Sequence, residues 1–156
     1  MGDIELLKII DHLPAGLLES PSQDLHQLLP QPTLIHLPGR REPALFVSVL
    51  LHGNEDAGLK AIQTVLRKYA GSELPRALSI FFGNVAAARD GLRRLDGQQD
   101  FNRVWPGTES PDCEETAMAR AVVEEMRRRG VFASIDIHNN TGLNPHYGCI
   151  NKLENA

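Results

Sequence analysis

The chain has 156 residues, 42% of them hydrophobic, 23% charged and 5% aromatic, and a formal net charge of −4. That length suits one domain with one core of ordinary size, and the composition excludes disorder and collagen-like repeats. The acidic balance argues against a broad nucleic-acid footprint, which needs a basic excess or stripe.

Taken in chain order, Ile4, Leu7 and Ile10 share one helical face and predict a short helix over 4–12, ended by Pro14. Ser20, Pro21 and Ser22 lead into a short turn over 23–29, and Pro30 and Pro32 break the chain. Residues 33–37 read as an edge strand closed by Pro38-Gly39. The continuous apolar run 44–51 predicts a strand buried on both faces, as in a parallel sheet. Ala61, Ile62, Val65, Leu66 and Tyr69 fall at helical spacing in a helix over 57–69.

A further apolar strand, 77–82, ends at Gly83-Asn84. The segment 85–112 reads as a long irregular connection, and such long loops are often functional. Asp112 is the expected N-cap of the next helix, with Glu114 and Glu115 in its first turn. Met118, Ala121, Val122 and Met126 point inward, and the basic run 127–129 precedes Gly130, a charge order that the helix dipole favours. Residues 132–137 form the last strand. The fold class that follows is α/β: a mostly parallel or mixed sheet with helices on both faces.

Three features that carry chemistry sit where these elements end, and ligands of open α/β sheets bind beyond the carboxyl ends of the strands. His52 and Glu55 follow the most buried strand. One turn of chain apart, they can reach a single ion, and imidazole nitrogen and carboxylate oxygen are ordinary zinc donors. The plainer alternative is a loop histidine beside a helix N-terminal acid. His138 ends the last strand and can point into the same crevice. Two His and one Glu make a catalytic zinc site with an open fourth position. Alone, His138 reads as a hydrogen-bonded loop histidine. Asp136 shares a strand face with His138 and suits either an imidazole-orienting partner or a buried structural acid. In Asp100-Phe101-Asn102-Arg103-Val104-Trp105-Pro106-Gly107, Arg103 offers a planar fork for a carboxylate and Asn102 a further polar contact. A surface salt bridge is the plain alternative there.

His-Gly-Asn-Glu, then Asp-Phe-Asn-Arg-Val-Trp-Pro-Gly, then Asp-Ile-His-Asn-Asn-Thr-Gly, in that order, resemble the zinc-carboxypeptidase superfamily. Within it they are most similar to the succinylglutamate desuccinylase/aspartoacylase branch, over residues 44–150. The resemblance implies a zinc-carboxypeptidase-like fold and one Zn2+ per chain held by His52, Glu55 and His138. It implies that Asn102 and Arg103 bind the carboxylate or oxyanion of a small substrate. Arg93, in Gly91-Leu92-Arg93, would polarise the scissile carbonyl or hold substrate, although Arg94 is adjacent and the spacing to Asp100 is about two residues long for the family pattern. Asn139 and Asn140 are assigned to substrate binding. Phe101 stands where the family usually has Leu.

The implied activity is zinc-assisted hydrolysis of an amide next to a carboxylate, as in an N-acyl amino acid. The family's general base, a Glu on a later strand, has no counterpart here: the chain ends 18 residues past His138, and Glu154 is the sole acid in that tail. The expectation is therefore an N-terminal helical extension, 1–32, and the N-terminal part of a catalytic domain, 33–156. A chain so cut would turn over slowly alone, because general acid–base help contributes about 10²–10⁴-fold. An exposed sheet edge would invite self-association into a homo-oligomer.

Three further readings stay open. One is hydrolysis at a peptide C-terminus. Another is a non-catalytic metal- or carboxylate-binding module, and the third is a plain structural domain without metal. No apolar run reaches the about 20 residues of a membrane span, and the acidic N-terminus carries no signal-peptide pattern. Cys113 and Cys149 make no disulfide framework and read as inert buried thiols, so the expected compartment is the cytoplasm. His146 either lines the pocket near His138 or reads, the favoured alternative, as an ordinary loop residue, and His12, His26 and His36 receive no role.

Overall fold

The computed structural model describes residues 6–140 and 145–150. Among them, five strands form one sheet in the order β1-β2-β4-β3-β5. The strands are β1 (Lys8–Ile10), β2 (Thr33–Leu37), β3 (Ala44–Val49), β4 (Leu78–Phe82) and β5 (Val131–Asp136). β2 runs antiparallel to β4, and the other neighbours are parallel. Three helices connect them: α1 (Ala57–Lys68), α2 (Val85–Arg89) and α3 (Glu114–Arg129).

The central strands are mostly apolar because both of their faces are covered. Ile35, Val47, Val49, Ile80 and Phe82 pack with Leu59, Ile62 and Leu66 of α1 and with Leu17, Leu25 and Leu29. Leu34, Phe81 and Phe46 turn to the other face, against Met118, Val122 and Met126 of α3 and against Phe101 and Trp105. Helices thus cover both faces, as expected. Gly58 lets α1 begin close to the sheet: a Cβ there would lie 2.9 Å from Cγ1 of Val49. β5 is an edge strand with Phe132 and Ile135 at the surface. The Arg76 guanidinium covers the Phe132 ring, 4.0 Å from its centroid.

Several elements correct the sequence reading. In the described part of residues 1–32 there is no α-helix; Lys8–Ile10 is strand β1, and Leu25–Gln27 forms one 3-10 turn. Leu7 packs on the α3 side and Ile10 on the α1 side, so a three-residue spacing that suits one helix face serves opposite faces of a strand. That pairing makes β2 an interior strand rather than an edge. The irregular segment 85–112 contains α2. Cys113, not Asp112, caps α3, and its N–H donates to Thr116 Oγ1 at 2.9 Å. Asp112 is exposed and paired with Arg120. Cys149 is exposed and Cys113 half-buried, so neither is the buried thiol expected. Thr141, Gly142 and Glu154 lie outside the described residues. No helix among the described residues is long and apolar enough to cross a membrane.

Candidate functional site

β3, β4 and β5 are mutually parallel, so their carboxyl ends lie on one side of the sheet. Chain direction changes abruptly after β3. Leu50 takes φ 55°, a left-handed conformation that costs an ordinary residue about 1–2 kcal/mol. Its carbonyl accepts the Asn84 N–H at the end of β4 at 2.6 Å. The strained corner sends Leu51 into the α3-side core and leaves His52 at the strand end. His52, at 2% exposure, and Glu55, at 8%, are nearly buried.

Glu55 is the centre of the cluster. Its Oε1 lies 2.8 Å from Nδ1 of His52 and its Oε2 lies 2.8 Å from Nδ1 of His138. The far nitrogen of each ring is held by a different acid. Nε2 of His52 donates to Oδ1 of Asp100 at 2.9 Å, and Nε2 of His138 donates to Oδ2 of Asp136 at 2.6 Å. Ser48 on β3 donates to the other Asp136 oxygen at 2.8 Å, which aims the carboxylate. An acid on Nε2 keeps a proton on that nitrogen, so Nδ1 is the atom that each ring would offer to a metal; without one, each Nδ1 stands at hydrogen-bond distance from Glu55. The donor atoms of His52, Glu55 and His138 all lie within 4.8 Å of one another. Two imidazole nitrogens and a carboxylate so converged are the donor chemistry of a catalytic zinc site.

Charge at the cluster follows from these contacts. Hydrogen bonding to Asp136 pushes the His138 imidazole up to about 9, against the opposing effect of burial and with help from Glu55. Burial pushes the Asp100 carboxyl upward, but His52, the Asn102 N–H and Arg93 outweigh it and hold the group at about 2. Arg93 bridges two acids, with NH1 3.2 Å from Glu55 Oε1 and NH2 3.2 Å from Asp100 Oδ2. Its side chain is half exposed, so it remains accessible to a ligand.

The structure therefore brings His52, Glu55, His138 and Arg93 together. It does not bring in the Arg103 side chain. Arg103 is exposed and, among the described residues, is engaged only through its backbone: its N–H donates to Asp100 O and its carbonyl accepts from Ser110. Asn102 contributes its N–H to Asp100 Oδ1 at 2.8 Å. Asn139 donates its N–H to Glu55 Oε2 at 3.2 Å, while its side-chain oxygen accepts from Ala57 N–H at 3.0 Å and caps α1. Asn140 bonds Tyr147 and is exposed. His146 is exposed as well.

Asp136 takes the imidazole-orienting place that the sequence reading weighed for it. Asp100 received no role from the sequence, yet it does the same for His52. Its signal was its position, an acid two residues ahead of Asn102 in the motif.

Comparison with known proteins fits this geometry. The succinylglutamate desuccinylase/aspartoacylase catalytic domain matches residues 41–150. A succinylglutamate desuccinylase of Pseudomonas putida is 30% identical over 134 residues, covering 82% of this chain and 39% of that protein. A succinylglutamate desuccinylase structure from Chromobacterium violaceum matches with TM-score 0.52 and 28% identity, over 64% of this chain and 34% of the other. One from Vibrio parahaemolyticus shares the fold at TM-score 0.52 and 16% identity, over 65% and 37%. The chain thus spans well under half the length of these relatives.

Proposed function

The chain belongs to the succinylglutamate desuccinylase/aspartoacylase catalytic-domain family, and from that premise we propose that it serves zinc-dependent hydrolysis of an amide next to a carboxylate. The substrate class is a small N-acyl amino acid, and the setting is the cytoplasm. One observation carries the reading: two imidazole Nδ1 atoms and the Glu55 carboxylate face one another, with both Nε2 atoms held by acids. That donor set fits one zinc ion per chain. When bound there, zinc would supply Lewis acidity to the amide carbonyl and to the attacking water.

This chain's residues supply the rest. Asp100 and Asp136 hold both Nε2 atoms, so Nδ1 of each ring is the nitrogen turned toward a metal. Arg93 presents its accessible guanidinium beside the cluster, suited to a substrate carboxylate or a developing oxyanion. Arg103 and Asn102 lie on the same loop and suit a carboxylate at its outer edge. Asn139 acts by fixing the His138 loop on α1, and Asn140 stands beside it at the rim.

A second reading, a metal- or carboxylate-binding module, draws on another observation. Glu55, Asp100 and Asp136 are each committed to an imidazole, which leaves no free acid among them to serve as general base.

Zinc titration of the metal-free chain tests the proposal. One zinc per chain is expected, lost in His52→Ala and in His138→Ala. Hydrolysis of N-succinyl amino acids by the zinc-loaded chain, in preference to peptides, supports the deacylase over the binding module. No binding at neutral pH with excess zinc overturns both readings.

A further inference from the structure

The loop that carries Arg93 and Asp100 is fastened at several points. Near Arg93, the Gly53 N–H donates to Arg93 O at 3.1 Å. Beyond Asp100, the buried Phe101 anchors the chain in the α3-side core. Between these points the chain turns from Leu95 to Gln98, with Gln98 N–H donating to Leu95 O at 3.2 Å and Gly97 at φ 81°.

Gln98 then folds back on its own turn. Its Oε1 accepts from Leu95 N–H at 2.8 Å and from Asn84 Nδ2 at 3.0 Å. Asn84 stands at the end of β4 and is 1% exposed. Both amides have fixed orientations. Asn84 Oδ1 accepts from Ala87 N–H at 3.1 Å to cap α2, so Nδ2 must face the loop. Leu95 N–H needs an acceptor, so Gln98 must present its oxygen. None of these hydrogen bonds reaches His52, Glu55 or His138.

We propose that Asn84 and Gln98 are a positioning pair: their hydrogen bond holds the loop so that Asp100 stays on Nε2 of His52 and leaves Nδ1 facing Glu55. The inference rests on the reading of the cluster as a zinc site, and it deepens that reading. Gln98 lies two residues before Asp100, and the local turn at Asp100 shapes the carboxylate without tying it to the strand end. Asn84 supplies that tie, from the strand adjacent to β3.

The fixed amides suggest a selective test. Asn84→Asp keeps an acceptor for Ala87 N–H but sets a second acceptor against Gln98 Oε1. Flipping the Gln98 amide cannot repair this, because Leu95 N–H would then meet an NH2 group. Gln98→Glu keeps both acceptor functions, and Gln98→Ala removes them.

Two readouts apply to the full chain. One is zinc affinity by competition with a chromophoric chelator. The other is NMR of the His52 Nε2–H in metal-free protein, whose slow exchange with solvent reports the hydrogen bond to Asp100. Loss of an outer partner weakens metal binding by about 10–100-fold. The expected result is therefore about 10-fold weaker zinc in Asn84→Asp and Gln98→Ala, with Gln98→Glu within about twofold of wild type. The His52 Nε2–H should exchange faster with solvent in the two weak variants. Wild-type affinity and Nε2–H exchange in both overturn the proposal, as does Gln98→Glu behaving like Gln98→Ala. If Asn84→Asp does not fold, Gln98→Ala against Gln98→Glu decides. If the wild-type chain binds no zinc, the proposed function falls, and Nε2–H exchange still decides the pair.

Discussion

Glu55 Oε2 lies 2.8 Å from Nδ1 of His138, although 83 residues of chain separate the two. The same carboxylate meets His52 through its other oxygen. Glu55 is thus the group through which the β3 and β5 ends share one site. Glu55→Gln replaces one acceptor oxygen with an NH2 donor and removes the negative charge. Zinc affinity should fall by more than the about 100-fold that marks the upper end for an outer partner. Competition titration checks this, and an affinity within about tenfold of wild type would show that Glu55 is no ligand.

Asp136 gives a graded counterpart. It touches no other member of the cluster than His138, and Ser48 holds its second oxygen. Asp136→Asn should weaken zinc by about 10–100-fold. Ser48→Ala should have a smaller effect in the same direction, because the carboxylate remains but loses its aim. Because Asp136 is exposed on an edge strand, Asp136→Asn leaves no cavity; Ser48 is buried, and Ser48→Ala removes only its hydroxyl. Unchanged metal affinity in Asp136→Asn, measured by the same titration, would reduce Asp136 to a structural acid.

Gly53 is where the site constrains backbone most tightly. A Cβ there would stand 2.2 Å from Ala88 N and 2.7 Å from Leu92 O, and both obstacles are main-chain atoms. Gly53→Ala must push α2 and the Arg93 loop apart. Overpacking of this kind costs about 1–3 kcal/mol. In a chain of this size, 1 kcal/mol moves Tm by about 2–4 °C. Differential scanning calorimetry of the metal-free chain should therefore show a drop of about 2–12 °C. A wild-type Tm would mean that the loop is not seated against Gly53.

What the sequence disclosed and what it hid have physical causes. β3 and β4 were legible as apolar runs because both faces of each are covered. α1 was legible because its buried residues repeat at helical spacing. The convergence of His52, Glu55 and His138 was legible because imidazole and carboxylate side chains stood at strand ends. β1 was not, since Leu7 and Ile10 fit a helix face as well as two sides of a strand. β2 could not be placed inside the sheet without β1. Asp100, Asn84 and Gln98 stayed hidden for a different reason. Their roles are hydrogen bonds across 48 residues for Asp100 and His52, and across 14 for Asn84 and Gln98, and no local pattern encodes such pairs.

His36 also received no role from the sequence, and the structure gives it a pH-dependent one in stability. It is buried between β2 and α3, with Nδ1 2.8 Å from Ser79 Oγ and Nε2 3.3 Å from Glu125 Oε1, too poorly aligned for a hydrogen bond. Burial and the nearby Arg129 charge lower its pKa below 6.5, against the pull of Glu125. Glu125 is itself held down at about 2, first by hydrogen bonding to Arg128 and then to Arg129, against burial. Both shifts have the same consequence. A depressed histidine makes the unfolded chain bind its proton first, so stability falls as pH drops below 6.5. A depressed carboxyl contributes stability that is present above its ordinary 4.5 and lost as pH falls toward about 2. Acid should thus loosen the contact between α3 and the sheet in two successive windows. His36→Gln should remove the first window and leave the second. Urea midpoints of the metal-free chain at pH 7.5, 5.5 and 4.5 measure this directly. Wild type should lose more stability than His36→Gln between pH 7.5 and 5.5, and both should lose further stability by pH 4.5. Equal losses over the first interval would show that His36 is not buried neutral in the folded chain.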